Sequence, residues 1–376
     1  MNLDFSDSEK AFRAEARAWL EANVPTELAS GDTKAGFAQH IEWEKKLFDA
    51  NWAVVSWPKE YGGREATLFE WLIFEEEYYR AGAPSRVTQN GIFLLAPVLF
   101  EFGTEEQKKR LLKPMAAGAH TWAQAWSEPN AGSDLASLKS TARKVEGGWR
   151  LSGQKTWCTR ASFCDSIYGL FRSNPDKPRH KGLTYFMIDL KAEGVELNGV
   201  DRLDGDEGFA EVFLEDVFVP DADILGEVDQ GWYVAMATTN SERGLTLRSP
   251  GRFMASASRL VQLYREYKET ADPCLRDSVV RAWMDAQAYR LYTYQTVTRM
   301  MKGGQMGADA SMNKIFWSEM DINIQETALE LLGNKSELDS DWMKAFQFSL
   351  AGPIYAGTNE IQRNLVAERV LQLPRK

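Results

Sequence analysis

Cysteine and histidine are scarce in this 376-residue sequence, with three of each scattered along the chain. Zinc sites need these residues in close pairs, and a disulfide framework needs several cysteines. No histidine stands near a serine or cysteine in a pattern typical of a nucleophilic triad. We therefore expect no structural metal, no metal-binding residues and no disulfides.

Long apolar runs and an excess of basic charge are also missing. The longest apolar stretch, residues 91–100, is interrupted by Pro97 and falls well short of the roughly 20 residues of a membrane span. The first residues are acidic and polar, unlike a secretory signal. The 44 Lys and Arg oppose 54 Asp and Glu, and a net charge of −10 repels nucleic acid. These absences predict a cytoplasmic protein that neither crosses a membrane nor binds nucleic acid.

Helical patterns occupy both ends of the chain. Ser6 with Glu9, and Thr104 with Gln107, match the capping box, so helices should begin near residues 7 and 105. From residue 231 onward the sequence again has helical periodicity, in the runs 231–267, 275–301 and 309–332. A chain that is 44% hydrophobic and has 13 tryptophans can bury a large core around such helices.

The middle of the chain reads as β structure. Short segments rich in β-forming residues lie between residues 141 and 219, and Gly147-Gly148 suits a tight hairpin turn. The sequence predicts a mainly α fold with a central β domain. Its parts are an N-terminal helical domain (1–118), an antiparallel, β-barrel-like middle domain (119–228) and a C-terminal four-helix bundle (229–376).

Two stretches of the middle domain combine tryptophan with small hydroxyl residues. They read Trp-Ser-Glu-Pro-Asn-Ala-Gly-Ser-Asp at 126–134 and Gly-Gln-Lys-Thr-Trp-Cys-Thr at 153–159. Both resemble the flavin-binding signatures of acyl-CoA dehydrogenases, and so do Ile-Tyr-Ala-Gly-Thr-Asn-Glu-Ile-Gln-Arg at 354–363 and Trp-Pro-Lys-Glu-Tyr-Gly-Gly at 57–63. The resemblance covers essentially the whole chain and implies the acyl-CoA dehydrogenase fold.

The resemblance implies an FAD site and an acyl-CoA site. An isoalloxazine ring needs aromatic surface and small hydrogen-bond donors. Either tryptophan alone would more often be β-domain core, whereas the pair within two matched signatures favours the flavin. The FAD residues implied by similarity are Gln124, Trp126, Ser127, Ser133, Trp157, Thr159, Glu330, Thr358 and Glu360. Those implied for the substrate are Ser133, Asn240, Arg243, Ala356 and Gly357.

The family's reaction is the α,β-dehydrogenation of a thioester, in which a carboxylate removes the α-proton and flavin N5 takes the β-hydride. Many members carry that base just before the Gly-Thr of the C-terminal signature, where this chain has Ala356, which has no titratable group. Other members place it on the first long helix of the C-terminal domain, immediately before an arginine. Glu242, followed by Arg243, fits that pattern, and we predict that it is the base. The alternative is that both are ordinary surface charges of a helix.

The resemblance is incomplete where the family binds the FAD diphosphate. The expected arginine is missing from residues 267–273, and the expected glutamine from 330–336, where Glu330 sets a like charge near a diphosphate. Either Arg276 or another basic residue substitutes, or a different subunit supplies half of the site, as in heteromeric steroid side-chain dehydrogenases of the family. We expect a homotetramer or heterotetramer with non-covalent FAD and an electron-transfer flavoprotein as acceptor.

Several alternatives stay open at this point. The acyl chain could be bound to a carrier protein, the flavin could react with oxygen, or the chain could be a flavin-poor subunit that completes a catalytic partner. Ala356 leaves space beside the acyl path, which favours a branched or bulky acyl group. A steroid side chain, a branched short chain and a long straight chain all remain candidates.

Overall fold

The computed structural model describes residues 4–242, 249–304, 307 and 309–374, without the side chains of 240–242 and 309. The α-helices are α1 (Asp7–Asn23), α2 (Lys34–Asp49), α3 (Leu68–Arg80), α4 (Ala96–Phe102), α5 (Glu105–Ala116), α6 (Gly231–Glu242), α7 (Pro250–Tyr267), α8 (Leu275–Met301), α9 (Asp309–Leu332), α10 (Asp341–Ser349) and α11 (Asn359–Leu365). The strands are β1 (Trp122–Gln124), β2 (Thr141–Val145), β3 (Gly148–Thr159), β4 (Ser166–Arg172), β5 (Leu183–Asp189), β6 (Val195–Val200), β7 (Phe209–Pro220) and β8 (Ile224–Leu225). Within these ranges no helix combines the length and the apolar character needed to cross a membrane.

The chain separates into two compact units, each built from discontinuous segments. A helical unit comprises Met1–Val24, Ala66–Pro84 and Arg243–Lys376, and a sheet-containing unit comprises Pro25–Glu65 and Ser85–Glu242. The sequence-based domain boundaries at 118/119 and 228/229 stay predictions.

Capping explains where several helices begin. At Ser6 and Thr104 the side chain accepts the N–H three residues on, and that residue's side chain accepts the cap N–H in return, as predicted. A third box, Thr67 with Glu70, starts α3. The predicted runs 275–301 and 309–332 are confirmed as α8 and α9. The predicted helical run 231–267 contains two helices, α6 and α7, and Ser249 directly before α7 has a non-helical ψ of 137°.

The helical unit has an apolar core and an ionic cluster around a buried carboxylate. Phe253, Tyr289, Trp317 and other apolar side chains of α7, α8 and α9 pack together. The cluster joins α1 and α3 through Glu77, whose side chain is 1% exposed and accepts hydrogen bonds from Arg13 (2.8 Å), Arg17 (2.9 Å) and Arg80 (2.7 Å). The next carboxylate, Glu76, contacts Arg13, and also Arg290 and Tyr294 of α8.

The second unit contains one eight-stranded, mostly antiparallel sheet in the order β6-β7-β3-β2-β4-β5-β8, with β1 paired to β4. The predicted antiparallel sheet is confirmed in most of its pairings; the exceptions are β1 and, at one residue pair, β2, which both run parallel to β4. The β2–β3 hairpin separates β1 from β4 along the chain, and so long a connection permits a parallel pair. The hairpin turn is Glu146-Gly147, one residue earlier than predicted, since Gly148 already pairs with Val145. Gly147 takes the positive φ of 73° that this turn requires.

Candidate active site

Trp157 stands out of the sheet at a β-bulge in β3. The pairing of β3 with β7 shifts register between Lys155 and Cys158, so both of these side chains point into the core and are fully buried. Trp157 between them has a left-handed backbone (φ 59°) and is 61% exposed, with its ring edge-on to Phe209 at 5.9 Å. A bulky residue in this conformation is strained, and bulges often re-aim side chains beside functional sites. The alternative that Trp157 is a core residue is therefore wrong.

The first signature lies directly beside this bulge. The Thr156 N–H donates to the Ser127 carbonyl at 2.9 Å, which ties residues 126–134 to β3. Trp126 is buried with its ring edge-on to Tyr185 at 6.3 Å. Among the described residues its indole Nε1 has no hydrogen-bond partner. The sequence-predicted residues Trp126, Ser127, Trp157 and Thr159 thus occur together in one unit.

A series of polar contacts links Tyr168 and Asn90 to the predicted flavin residues Gln124 and Thr159. The Tyr168 hydroxyl donates to the Asn90 carbonyl at 3.1 Å and lies 3.5 Å from Gln124 Oε1. The Asn90 amide lies 3.5 Å from the Thr159 carbonyl. Asn90 starts a π-helical turn, Asn90–Leu95, a rare element that is frequent at functional sites. Sequence analysis missed Asn90 and Tyr168, because neither belongs to a recognisable motif.

Ser133 is exposed, at the far end of the first signature. Its neighbour Asp134 forms an ion pair with Arg179 at 2.6 Å, so the loop after β4 reaches this end of the signature.

Helix α6 carries the predicted base as its last residue. Thr238, one helical turn before Glu242, is fully buried, and its Oγ1 lies 3.4 Å from the hydroxyl of Tyr185. Tyr185 is also the residue that contacts Trp126. The side chains of Asn240 and Glu242, and all of Arg243, lie outside the described residues, so their assigned roles stay predictions.

The C-terminal signature forms a tight turn in the helical unit. Ala356 (φ 57°) and Gly357 (φ 80°) are both left-handed, and their carbonyls accept from Gln362 Nε2 at 3.3 Å. Thr358 caps α11 by accepting the N–H of Ile361. Glu360 follows in the first helical turn and is exposed; hydrogen bonds from its own N–H and from Thr358 lower the pKa of its carboxyl.

Beside this turn lies a buried amide and ammonium pair. Asn359 Oδ1 accepts from Lys314 Nζ at 2.8 Å, and both residues are buried. Thus the predicted residues Ala356, Gly357, Thr358 and Glu360 lie in one turn and the start of α11.

The positions predicted to face the FAD diphosphate lie elsewhere in the helical unit. Glu330 and Arg276 are exposed. Lys335 Nζ lies 3.1 Å from the Tyr267 hydroxyl and over its ring, so the two segments that depart from the family pattern meet through Lys335. Lys335 is a further basic residue that sequence analysis did not name.

The residues of the sheet-containing unit fit a flavin. Trp157 supplies exposed aromatic surface, Ser127 and Thr159 are half-buried hydroxyl residues, and Trp126 holds a buried N–H in need of an acceptor. These are the features that an isoalloxazine, apolar on its faces and rich in acceptors at its edge, requires.

Comparisons with known proteins agree with this geometry. Models of the N-terminal, middle and C-terminal domains of acyl-CoA dehydrogenase match residues 6–119, 123–217 and 229–371. The acyl-CoA dehydrogenase IpdE1 of Mycolicibacterium smegmatis is 36% identical over 97% of this chain and 98% of its own. The solved Tcur3481-Tcur3483 steroid ACAD is 28% identical over the full length of both chains, with a TM-score of 0.88. The ChsE4-ChsE5 complex from Mycobacterium tuberculosis is 27% identical, also at full coverage, with a TM-score of 0.85.

The three domain models together span nearly the whole chain, and the sheet presents the surface that a flavin needs. The protein therefore belongs to the acyl-CoA dehydrogenase family and is an FAD-dependent oxidoreductase.

Proposed function

We propose that this enzyme dehydrogenates an acyl-CoA thioester to the trans-2-enoyl-CoA. The observation that carries the proposal is Trp157, a strained and exposed aromatic residue that the bulge of β3 holds beside Ser127 and Thr159. When bound, FAD supplies the acceptor for the β-hydrogen, which leaves the substrate as a hydride to flavin N5. The fit of these residues to a flavin, together with the family membership, supports the assignment.

Glu242 takes the α-proton on a carboxylate oxygen. Its position one turn beyond Thr238 supports this role, because Thr238 lies against Tyr185 and Tyr185 contacts Trp126. Residues one turn apart share a helix face. We assign substrate contacts to Ser133, Asn240, Arg243, Ala356 and Gly357.

The partner is a second, different subunit that completes the FAD site. The departures at residues 267–273 and 330–336 support this, since Glu330 adds negative charge where a diphosphate would need a cation. Two solved relatives are described as the Tcur3481-Tcur3483 and ChsE4-ChsE5 pairs, and the first is called a steroid ACAD. We therefore favour a steroid-derived or similarly bulky acyl-CoA as substrate, and an electron-transfer flavoprotein as acceptor of the electrons.

The experiment that tests this function is anaerobic single-turnover reduction of the bound flavin. Branched, long straight and steroid side-chain acyl-CoA substrates are compared first with the wild-type protein. Glu242→Gln keeps size and hydrogen bonding but cannot take the proton, so flavin reduction should fall by about 10²- to 10⁴-fold while FAD binding survives.

Two variants complete the design. Glu326→Gln, the same change at an exposed position of α9, should reduce flavin at the wild-type rate. Ala356→Glu, added to Glu242→Gln, asks whether a carboxylate at the other family position restores the reaction. Undiminished reduction by Glu242→Gln would refute the base assignment, and no reduction of wild-type flavin by any acyl-CoA would refute the substrate class.

A further inference from the structure

A buried ion pair joins the two flavin signatures. Lys155, which is fully buried, donates from Nζ to Glu128 Oε1 at 2.9 Å. Lys155 belongs to residues 153–159 and Glu128 to residues 126–134, so each signature contributes one charge. Charged side chains are almost never fully buried without a partner, because removal from water is expensive.

The pair uses its hydrogen-bonding capacity on the backbone around it. The Lys155 ammonium also donates to the Leu170 carbonyl at 2.9 Å and lies 3.4 Å from the Trp126 carbonyl. The Glu128 carboxylate accepts the backbone N–H groups of Lys139 at 2.7 Å and Ser140 at 2.9 Å. The pair therefore connects β3, β4, the segment before β2 and the first signature.

The geometry also explains how each signature is folded and which of its side chains point outward. The side chains of Lys155 and Cys158 both point inward, and this is possible only because the bulge adds a residue between them and turns Trp157 outward. On the other segment, Glu128 exchanges two 3.0 Å backbone hydrogen bonds with Ala131 and so closes the turn that leads to Ser133. Burial lowers the pKa of Lys155, and the charge of Glu128 opposes that shift.

We propose that Lys155 and Glu128 are positioning residues for the flavin: their ion pair fixes the bulge that presents Trp157 and the turn from Glu128 to Ala131 that directly follows Ser127. Neither side chain touches the cofactor in this assignment. It rests on the proposed function only in that FAD binds at these two signatures, and it is independent of the acyl substrate and of the base.

The test uses the assembled holoprotein and the apoprotein prepared from it. Lys155→Met removes the charge at similar length, and Glu128→Gln removes the opposite charge while keeping an acceptor oxygen. FAD affinity is measured by titrating apoprotein, and the visible spectrum and midpoint potential of the bound flavin are recorded. We expect each variant to raise the FAD dissociation constant by at least about tenfold, because the bulge and the turn would no longer be held in place before FAD binds. We also expect each variant to change the flavin spectrum.

The control is Asp165→Asn, at the residue directly before β4. Asp165 accepts the N–H and hydroxyl of Thr121 at 2.9 and 2.8 Å and belongs to neither signature. This variant should lose stability but keep the FAD dissociation constant within about twofold, because the contacts of Asp165 with Thr121 lie outside the two flavin signatures. A folded Lys155→Met protein with unchanged affinity, spectrum and potential would overturn the proposal.

A single variant leaves one charge buried alone and could therefore unfold. In that case the charge-free double variant Lys155→Met/Glu128→Gln decides, and the expected loss of FAD affinity is the same. A double variant that binds FAD normally, or that does not fold at all, contradicts a positioning role. FAD affinity is measured without substrate, so the test of the positioning role is independent of the proposed dehydrogenation. Either proposal can fail while the other holds.

Discussion

The ionic cluster around Glu77 allows a quantitative prediction for the helical unit. Burial alone would raise the pKa of the Glu77 carboxyl, but hydrogen bonds from Arg17, Arg80 and Arg13 outweigh burial and lower it from 4.5 to about 2. The ionised form is therefore the form that the folded protein stabilises. Glu77→Gln keeps the shape of the side chain but removes this charge.

The size of the effect follows from linkage between the pKa and folding. A carboxyl with a pKa of about 2 when folded and 4.5 when unfolded contributes on the order of 3 kcal/mol of stability at pH 7. The contribution is fully present above the unfolded pKa and is lost as the pH falls toward the folded pKa, with about a quarter of it gone at pH 4 and more than about half gone at pH 3. Arg17 and Arg80 are nearly half exposed, so screening makes these values upper limits.

The assay is urea unfolding of wild-type and Glu77→Gln protein, followed by circular dichroism at pH 7 and pH 4. We expect the variant to be less stable at pH 7 by about 2 to 3 kcal/mol, and the difference to be smaller by up to about 1 kcal/mol at pH 4. Glu21→Gln is the matched control, because Glu21 is an exposed partner of Arg80 and such pairs contribute about 0 to 1 kcal/mol. A destabilisation by Glu77→Gln that does not shrink on acidification would refute the reasoning.

Three further predictions follow from burial. The FAD is not covalently attached, because Cys158, the cysteine in the matched stretches, is fully buried in the sheet core; acid or heat should release the yellow colour, and flavin that stays with the precipitate would contradict this. The chain assembles at least as a dimer, because Val280 and Met284 on one face of α8 are 46% and 61% exposed; a monomer carrying full flavin in sedimentation would be inconsistent, whereas half a flavin per chain favours a heteromeric partner. In the native protein a thiol reagent should label Cys274, which is exposed, but not Cys158, which is fully buried and whose thiol pKa burial raises to about 12; equal labelling of these two cysteines before denaturation would contradict this prediction.

Helix boundaries were predictable from the sequence wherever a local interaction sets them. The capping boxes at Ser6 and Thr104 involve residues three apart, and the breaks at Asp272-Pro273 and Gly303-Gly304 mark where α8 is bounded and where α9 can begin. The equivalent box at Thr67 was overlooked although its pattern is the same. Local side-chain chemistry was therefore sufficient to place the start of α3 as well, although this start was not predicted.

The site was predictable in composition but not in geometry. The motifs named Trp157, yet alternation along β3 cannot tell which of Trp157 and Cys158 faces inward, because the bulge depends on pairing with β7 some 50 residues later in the chain. The burial of Lys155 was also beyond sequence analysis, since a lysine in a strand is normally exposed. Its partner Glu128 is 27 residues away, and only the folded sheet brings the two together.

The discontinuous build of the helical unit has a consequence for how this protein is made. Its first segment emerges from the ribosome long before its last, and Glu76 must wait for Arg290, 214 residues later, to be synthesised. The sheet-containing unit ends at Glu242 and can complete its contacts earlier, since domains fold as units during synthesis. Until then α1 and α3 expose the apolar faces and charges that they later bury. This nascent stage, rather than the finished fold, is where we expect chaperones to be needed most.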